Sequence, residues 1–360
     1  MKDSEFVDEV QFSQFIWARH RWFRILFHIP LLLTSKDYRA FRFLKLSKVK
    51  RTKKAEKWLK KFRKDPRYPR VTLDQVVGRD DVVSLLIDSI DYHILRLQDN
   101  DQQFAKMYTA PPPKVFILES DPGWGKKFLA KAIQRESLER SVKEGIKAVP
   151  ETLKSSDISS WLMGVSEKQL ENRMNSIFST PTVLFIEQAQ AFSEKPQGLI
   201  GDIDRESQRI GEALERSLER LKENPIRAIA ILSTNNFANM PETLRLIAER
   251  INLNGMKEED IIEICRRRSE ESGIDIEPKK LFQALSQALR TVGKIELTPS
   301  DINKAFILST NKVQAPFREA VRKRVRGKVI GEPPKPTIED FISVAPDVAA
   351  YTEEEVSTMV

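Results

Sequence analysis

Val115 to Leu129 reads VFILESDPGWGKKFL, and this stretch decides the fold. Val115 to Leu118 are four apolar residues in the pattern of a short buried strand. A turn with Pro122, Gly123 and Gly125 follows, and Lys126 then opens a helical run through Lys131 and Ile133. Strand, glycine turn, lysine and helix are the parts of a phosphate-binding loop. Backbone N–H groups in such a turn and at the helix N-terminus point at an anion, and the lysine adds a full positive charge. The stretch departs twice from the pattern G-x-x-x-x-G-K-[ST]. Ser120 stands at the first glycine, and Lys127 stands where a magnesium-binding hydroxyl belongs.

Working outward, Thr72 to Gly78 leads into an apolar-periodic helix over Val82 to Leu97. Pro111, Pro112 and Pro113 then deliver the chain into the first strand. Downstream, the pattern predicts strands at Ile146–Val149, Val183–Ile186, Ala228–Leu232 and Ile251–Leu253. Ser155 to Met174 reads as turn and helix, Gln197–Asp204 as a loop, and Glu206–Lys222 as a charged helix. Val183–Ile186 is a continuous apolar run of the kind that parallel sheets bury on both faces. Alternation of this kind argues for an α/β fold, a doubly wound parallel sheet. After Gly255 the pattern becomes all-helical, over Glu258–Arg268, Pro278–Leu289 and Ser300–Thr310. Thr298-Pro299 with Asp301 is a good helix start. A short helical reading resumes at Ile338, past Pro333. The expected organisation is a basic aromatic extension over 1–70, a phosphate-loop α/β domain over 71–255, a helical lid over 256–345 and a tail over 346–360.

Charge separates the first of these from the rest. The 360 residues carry a net charge of +8, but residues 1–70 alone hold 20 Lys+Arg against 7 Asp+Glu, and the remainder of the chain is net acidic. Residues 11–33 mix Phe12, Phe15, Phe23 and Phe27 with Arg19, Arg21 and Arg24, and the apolar run within them, Trp22 to Leu33, is too short and too charged to span a bilayer. An amphipathic segment of this kind docks on protein or lies on an anionic membrane surface, and protein docking is favoured. Residues 36–64 are a basic helix or linker with a thin stripe of Trp58, Leu59 and Phe62, suited to an anionic membrane and less to nucleic acid. The single cysteine, Cys265, excludes an internal disulfide, and Asp3, Glu5, Asp8 and Glu9 are wrong for a secretory or transit peptide. The expectation is a cytoplasmic protein, with peripheral membrane association through the extension.

Six ordered segments together resemble the AAA family of ring-forming ATPases. TLDQVVGRDD (72–81) looks like the segment packed beside the adenine, with Val77 and Gly78. SDPGWGKKFLAKAI (120–133) looks like the Walker A loop and its helix. SSDISSWLMGVSEKQLENRM (155–174) resembles a substrate-gripping pore loop with its helix, and TVLFIEQAQAF (182–192) resembles Walker B. AIAILSTNN (228–236) resembles the strand that carries the sensor asparagine, and TIEDFISVAPDV (337–348) resembles the end of the lid.

The resemblance implies roles residue by residue. Asp121, Pro122, Gly123, Trp124, Gly125, Lys126, Lys127 and Phe128 would line the nucleotide, with Lys126 reaching its β- and γ-phosphates. Glu187 would accept a metal or a lysine. Gln188 stands where the family's glutamate polarises the attacking water, and an amide has no useful basicity at neutral pH. Asn235 would orient that water, and Arg250 would reach a neighbouring subunit's site. Trp161, with Leu162, would grip a polypeptide in the ring's pore, while Gly198–Gly201 would form a second pore loop.

The cofactor implied is ATP or ADP, with magnesium weak or lacking. The partners implied are a homo- or hetero-oligomeric ring, which could include active AAA subunits, and a polypeptide substrate. Lys127 and Glu187 are expected within about 6 Å of each other, their ion pair replacing the metal. The leading reading is a ring subunit with weak or no hydrolysis. The alternatives are an active protein-remodelling ATPase and an adaptor working through residues 1–64.

Overall fold

A computed structural model describes residues 36–95, 110–154, 167–192, 202–322 and 332–350. The chain divides into two units, one holding residues up to 63 with 142–146 and the other the remainder.

The first unit is built on helix α1 (Lys36–Phe62). Ala55, Leu59 and Phe62 are buried along one stripe, and Trp58 stacks on Phe62 with ring centroids 5.1 Å apart. Lys50, Arg51, Lys53, Lys54, Lys57 and Lys60 are exposed. Their charged heads stay in water while the stripe packs, as a basic amphipathic helix requires.

The second unit opens with a single 3-10 turn, Leu73–Gln75, and helix α2 (Asp80–Ile90), which runs on into a π turn over Asp91–Leu95. The predicted helix therefore changes winding at Ile90, and Leu97 lies outside the described residues. Ser89 donates to the carbonyl of Pro113 (2.7 Å) and His93 Nε2 to that of Pro112 (2.7 Å). These bonds anchor the proline run ahead of strand β1 (Val115–Glu119).

Helix α3 (Lys126–Lys143), β2 (Glu151–Leu153), α4 (Glu167–Phe178), β3 (Thr182–Ile186), α5 (Asp202–Glu223), β4 (Ala228–Thr234), α6 (Glu242–Ile247) and β5 (Glu249–Asn252) complete the alternation. The strands form one parallel sheet in the order β2-β3-β4-β1-β5. Ile117, Leu184, Ile186 and Leu232 face α4 and α5 on one side. Phe116, Leu118, Phe185 and Ile231 face α2 and α3 on the other. Apolar on both faces, the strands read as continuous runs, and the fold is the doubly wound α/β core expected.

One strand is misplaced by the sequence pattern. The second strand is Glu151–Leu153, and Ile146–Val149 is an unpaired approach to it. Pro150 has no N–H to give to a ladder, so pairing with β3 begins only beyond it. Val149 instead donates to the carbonyl of Pro181 (2.9 Å), outside the ladder. Ile146 and Ala148 are buried all the same, which is why the stretch reads as a strand.

Helices α7 (Glu258–Ser272), α8 (Pro278–Thr291), α9 (Pro299–Arg322), α10 (Ile338–Ser343) and α11 (Ala345–Ala350) form the lid around a core of Leu281, Leu285, Phe306, Phe341 and Val348. Cys265 lies in this core, and burial pushes its thiol up to about 12. Among the described residues no helix is long and apolar enough to cross a membrane.

Candidate nucleotide site

The loop from Ser120 to Gly125 leaves β1 and turns into α3 with two left-handed glycines, Gly123 (φ 95°) and Gly125 (φ 83°). The lid closes on this turn. A Cβ on Gly123 would stand 2.7 Å from Thr298 Oγ1, and the Ser300 N–H donates to the Gly123 carbonyl (3.2 Å). Asp301, almost fully buried, holds that lid corner. Its Oδ2 accepts from the Thr298 N–H (2.9 Å) and hydroxyl (2.8 Å), and its Oδ1 from Lys294 (2.6 Å). Trp124 is buried, whereas Asp121 and Pro122 are exposed and Phe128 is half-buried in the first turn of α3. The Asp121 N–H donates to Asn254 Oδ1 (2.8 Å), tying the loop to the residues after β5.

Lys126 turns back onto its own loop. Its ammonium donates to the Ser120 hydroxyl (2.9 Å), to the Asp121 carbonyl (3.1 Å) and to the Ser120 carbonyl. Ser120 is fully buried, so the residue in place of the first glycine supplies an acceptor that glycine lacks.

The next residue crosses the site. Lys127 Nζ lies 3.2 Å from Glu187 Oε2, well inside the 6 Å expected from the sequence. Lys127 is half-exposed and Glu187 mostly buried. Glu187 Oε1 has no hydrogen-bond partner among the described residues. Lys131, one turn further along α3, is half-buried. Burial pushes its ammonium below the usual range, Lys127 and Lys154 push the same way, and Glu187 opposes them.

Gln188 is exposed and left-handed (φ 52°), the single non-glycine residue of positive φ among those described. That conformation costs a non-glycine residue about 1 kcal/mol, and such strain persists where the surroundings impose it. Here the Gln188 N–H is held by Ser233 Oγ (3.0 Å), which itself donates to the Ile186 carbonyl (3.3 Å). Ser233 is thus a positioning residue that the sequence reading missed.

Asn235 follows β4 and is exposed, beside Asn236, whose Oδ1 caps the following turn by accepting from the Ala238 N–H (2.9 Å). Arg250 lies on β5 and binds within its own chain. It meets Glu119 Oε2 at 2.6 Å and sits 4.6 Å over the Phe237 ring. Glu119 Oε1 in turn accepts from the Phe237 N–H (2.9 Å). A carboxylate closing an apolar strand just before the loop was the signal for this node.

Val77 and Gly78 lie where the chain meets lid helix α7. Gly78 has φ 66°, and a Cβ there would stand 2.4 Å from Asp260 Oδ2. Arg267 of α7 donates to the Asp74 carbonyl, and Arg79 to that of Leu253. Trp161, Leu162 and Gly198–Gly201 lie outside the described residues.

The geometry fits a polyphosphate: a glycine turn, a helix N-terminus and a lysine converge on one spot. At the position where the pattern G-x-x-x-x-G-K-[ST] has a magnesium-binding hydroxyl, Lys127 brings an ammonium that is paired with Glu187.

A parallel sheet with this loop at the end of its first strand, covered by a helical lid, defines a phosphate-loop nucleotide fold. Residues 116–254 match the model of the ATPase family associated with various cellular activities, and the chain carries an AAA domain. A chain of the E. coli MS115-1 HORMA:CdnC:Trip13 complex is similar over 78% of this chain and 90% of its own, with a TM-score of 0.57 and 17% identity. The FIGL-1 AAA domain in complex with ADP is similar over 81% and 88%, with a TM-score of 0.53 and 14% identity. At these identities the likeness is one of fold. No curated protein matches the chain in sequence.

Proposed function

We propose that this chain is an AAA ring subunit that binds ATP or ADP and hydrolyses it weakly or not at all. The observation that carries this is the Lys127–Glu187 ion pair, which fills with protein charge the place where phosphoryl transfer leans on a metal. Gln188 points the same way, since an amide cannot take a proton from water at neutral pH. The subunit serves a ring as a structural or regulatory member, alone or beside active AAA subunits. Trp161 and Leu162 would meet a polypeptide there. The exposed basic side of α1 is an attachment surface for an anionic membrane or an acidic partner, with nucleic acid the weaker candidate.

Phosphate release by the purified chain with Mg²⁺ tests the reading. We expect turnover well below about 1 per second, the low end of ordinary enzyme rates. Lys127→Thr with Gln188→Glu, which restores the family pattern at both positions, should raise it. Ordinary magnesium-dependent turnover by the unaltered chain would overturn the proposal.

A further inference from the structure

We propose that the lysine face of α1 adsorbs this chain to an anionic lipid bilayer, lying flat on the headgroups without inserting. This rests on the reading of α1 as an attachment surface, and it commits that surface to a bilayer in place of an acidic protein or a nucleic acid.

Lys50, Lys53, Lys54, Lys57, Lys60 and Lys61 recur at helical spacing, so α1 gathers them within an arc of about 120°. All six are exposed, and Ala55, Leu59 and Phe62 are buried on the opposite side. Glu56, the single acid between Lys50 and Phe62, falls outside the arc. None of the six ammonium groups has a partner among the described residues. A charged face that only meets water looks different in this same chain. On α7, Arg266 and Arg267 share Glu263, Arg266 also meets Glu270, and Arg268 meets Glu271. Alternating signs at three and four residues stabilise a helix, whereas like charges at that spacing weaken it. The lysines of α1 repel one another at that spacing, and an anionic surface removes the repulsion.

The chemistry of the face selects a diffuse target. Lysine is a compact, strongly hydrated point charge, while arginine's planar fork is the group that reads one carboxylate or phosphate in a fixed pair. The arc holds no aromatic residue to stack a base or to anchor a protein partner, since Trp58 lies outside it, stacked on Phe62. The six lysines span about 16 Å of helix. A rod laid on a plane brings all of them to the charge at once, within a Debye length of about 8 Å, whereas a rod crossing a duplex meets it over a short stretch. With no apolar side chain on that face, the helix rests on the headgroups.

Flotation of the full chain with vesicles tests this, using phosphatidylcholine alone and phosphatidylcholine with about a third phosphatidylglycerol. A short DNA duplex and polyglutamate are measured beside them at equal concentrations of negative charge. The anionic vesicles should bind most tightly and the neutral ones not at all, and binding should vanish at about 1 M salt, where exposed charges are screened. Each lysine at such a surface is worth about fivefold, so Lys53→Gln, Lys54→Gln and Lys57→Gln together should weaken binding about a hundredfold. Lys222→Gln, Lys257→Gln and Lys279→Gln together remove the same charge from other exposed positions and should leave it nearly unchanged. Losing like charges relieves α1, so the first variant should keep the parent's melting temperature. Equal weakening by the two triple variants overturns the inference, as does vesicle binding that survives the high salt. Duplex DNA or polyglutamate bound more tightly than the vesicles through the same lysines overturns it and leaves α1 an attachment surface of another kind. No binding to anionic vesicles, DNA or polyglutamate overturns both. The comparison of vesicles and salt needs no variant, so it decides even if a substituted chain fails to fold.

Discussion

Lys127 Nζ and Glu187 Oε2 lie 3.2 Å apart, joining the residue after the phosphate-loop lysine to the residue after the third strand. The partners are unequal. Lys127 is half in water, while Glu187 is mostly buried with its other oxygen unpartnered. Removing the lysine leaves a carboxylate with no hydrogen-bond donor among the described residues. Lys127→Ala should therefore destabilise the fold by about 2 kcal/mol, more than Glu187→Gln does. A double-mutant cycle read by urea unfolding should give a coupling of about 1 kcal/mol. Additive effects would mean that the pair contributes nothing.

Ser120 engages the one cation that a phosphate most needs. Its hydroxyl and carbonyl, with the Asp121 carbonyl, occupy the Lys126 ammonium. Ser120→Gly deletes one of these acceptors and restores backbone freedom at the start of the loop. The lysine is then less firmly retracted, and ATP should bind about fivefold more tightly, the equivalent of one ordinary hydrogen bond. Calorimetry in EDTA checks this, and unchanged or weaker binding would show that the serine does not restrain the lysine.

How much of this was legible beforehand follows from chain distance. The sheet and the loop could be read because each lies at a fixed place relative to an apolar strand run, whereas the Lys127–Glu187 pair followed from the resemblance of the two segments to Walker A and Walker B. The Lys126–Ser120 contact spans six residues but depends on how the loop folds back, which no periodicity encodes. Lys131 was within reach, since it follows Lys127 by one helical turn. Glu119 had no assigned place in the sequence pattern, and Arg250 was expected to reach a neighbouring subunit. Only the packing of β1 against β5 brings them together.

Gly123 is where loop and lid share space. Its φ of 95° strains any other residue, and Thr298 and Ser300 fill the position of a side chain. Gly123→Ala should destabilise the chain by about 2 kcal/mol and loosen the lid corner at Thr298 and Asp301. Denaturation reads the first effect. Faster amide exchange at Ser300, whose N–H is bonded to Gly123, reads the second. A variant as stable as the parent would mean that the lid yields without loss.

Lys131 is held against its own preference. Burial is the first reason its ammonium is pushed below the usual range, and Lys127 is the second. A group with a depressed folded pKa of this sign favours the neutral form, so a neutral side chain of similar length suits the ligand-free fold better. Lys131→Met should raise the melting temperature by about 2 °C at neutral pH, with the gain shrinking as pH rises toward the ordinary lysine range. A drop in melting temperature at neutral pH would show that Lys131 stabilises the ligand-free fold.

Arg250 tests what the β1–β5 edge is for. Glu119 is only 13% exposed at its side chain, and its two oxygens are divided between Arg250 and the Phe237 N–H. Arg250→Ala strips the cation from a largely buried carboxylate and uncovers the Phe237 ring. The chain itself should then lose about 2 kcal/mol, whatever its state of assembly. Glu119→Gln should recover part of that loss in the double variant, because the charge left without a partner is gone. Melting at concentrations low enough to keep subunits apart separates the two roles. An arginine that served only a neighbouring subunit would leave the isolated chain's melting temperature unchanged and alter nucleotide binding only as concentration rises. A stability loss that is independent of concentration, and repaired by Glu119→Gln, assigns Arg250 to the Phe237 turn of its own chain.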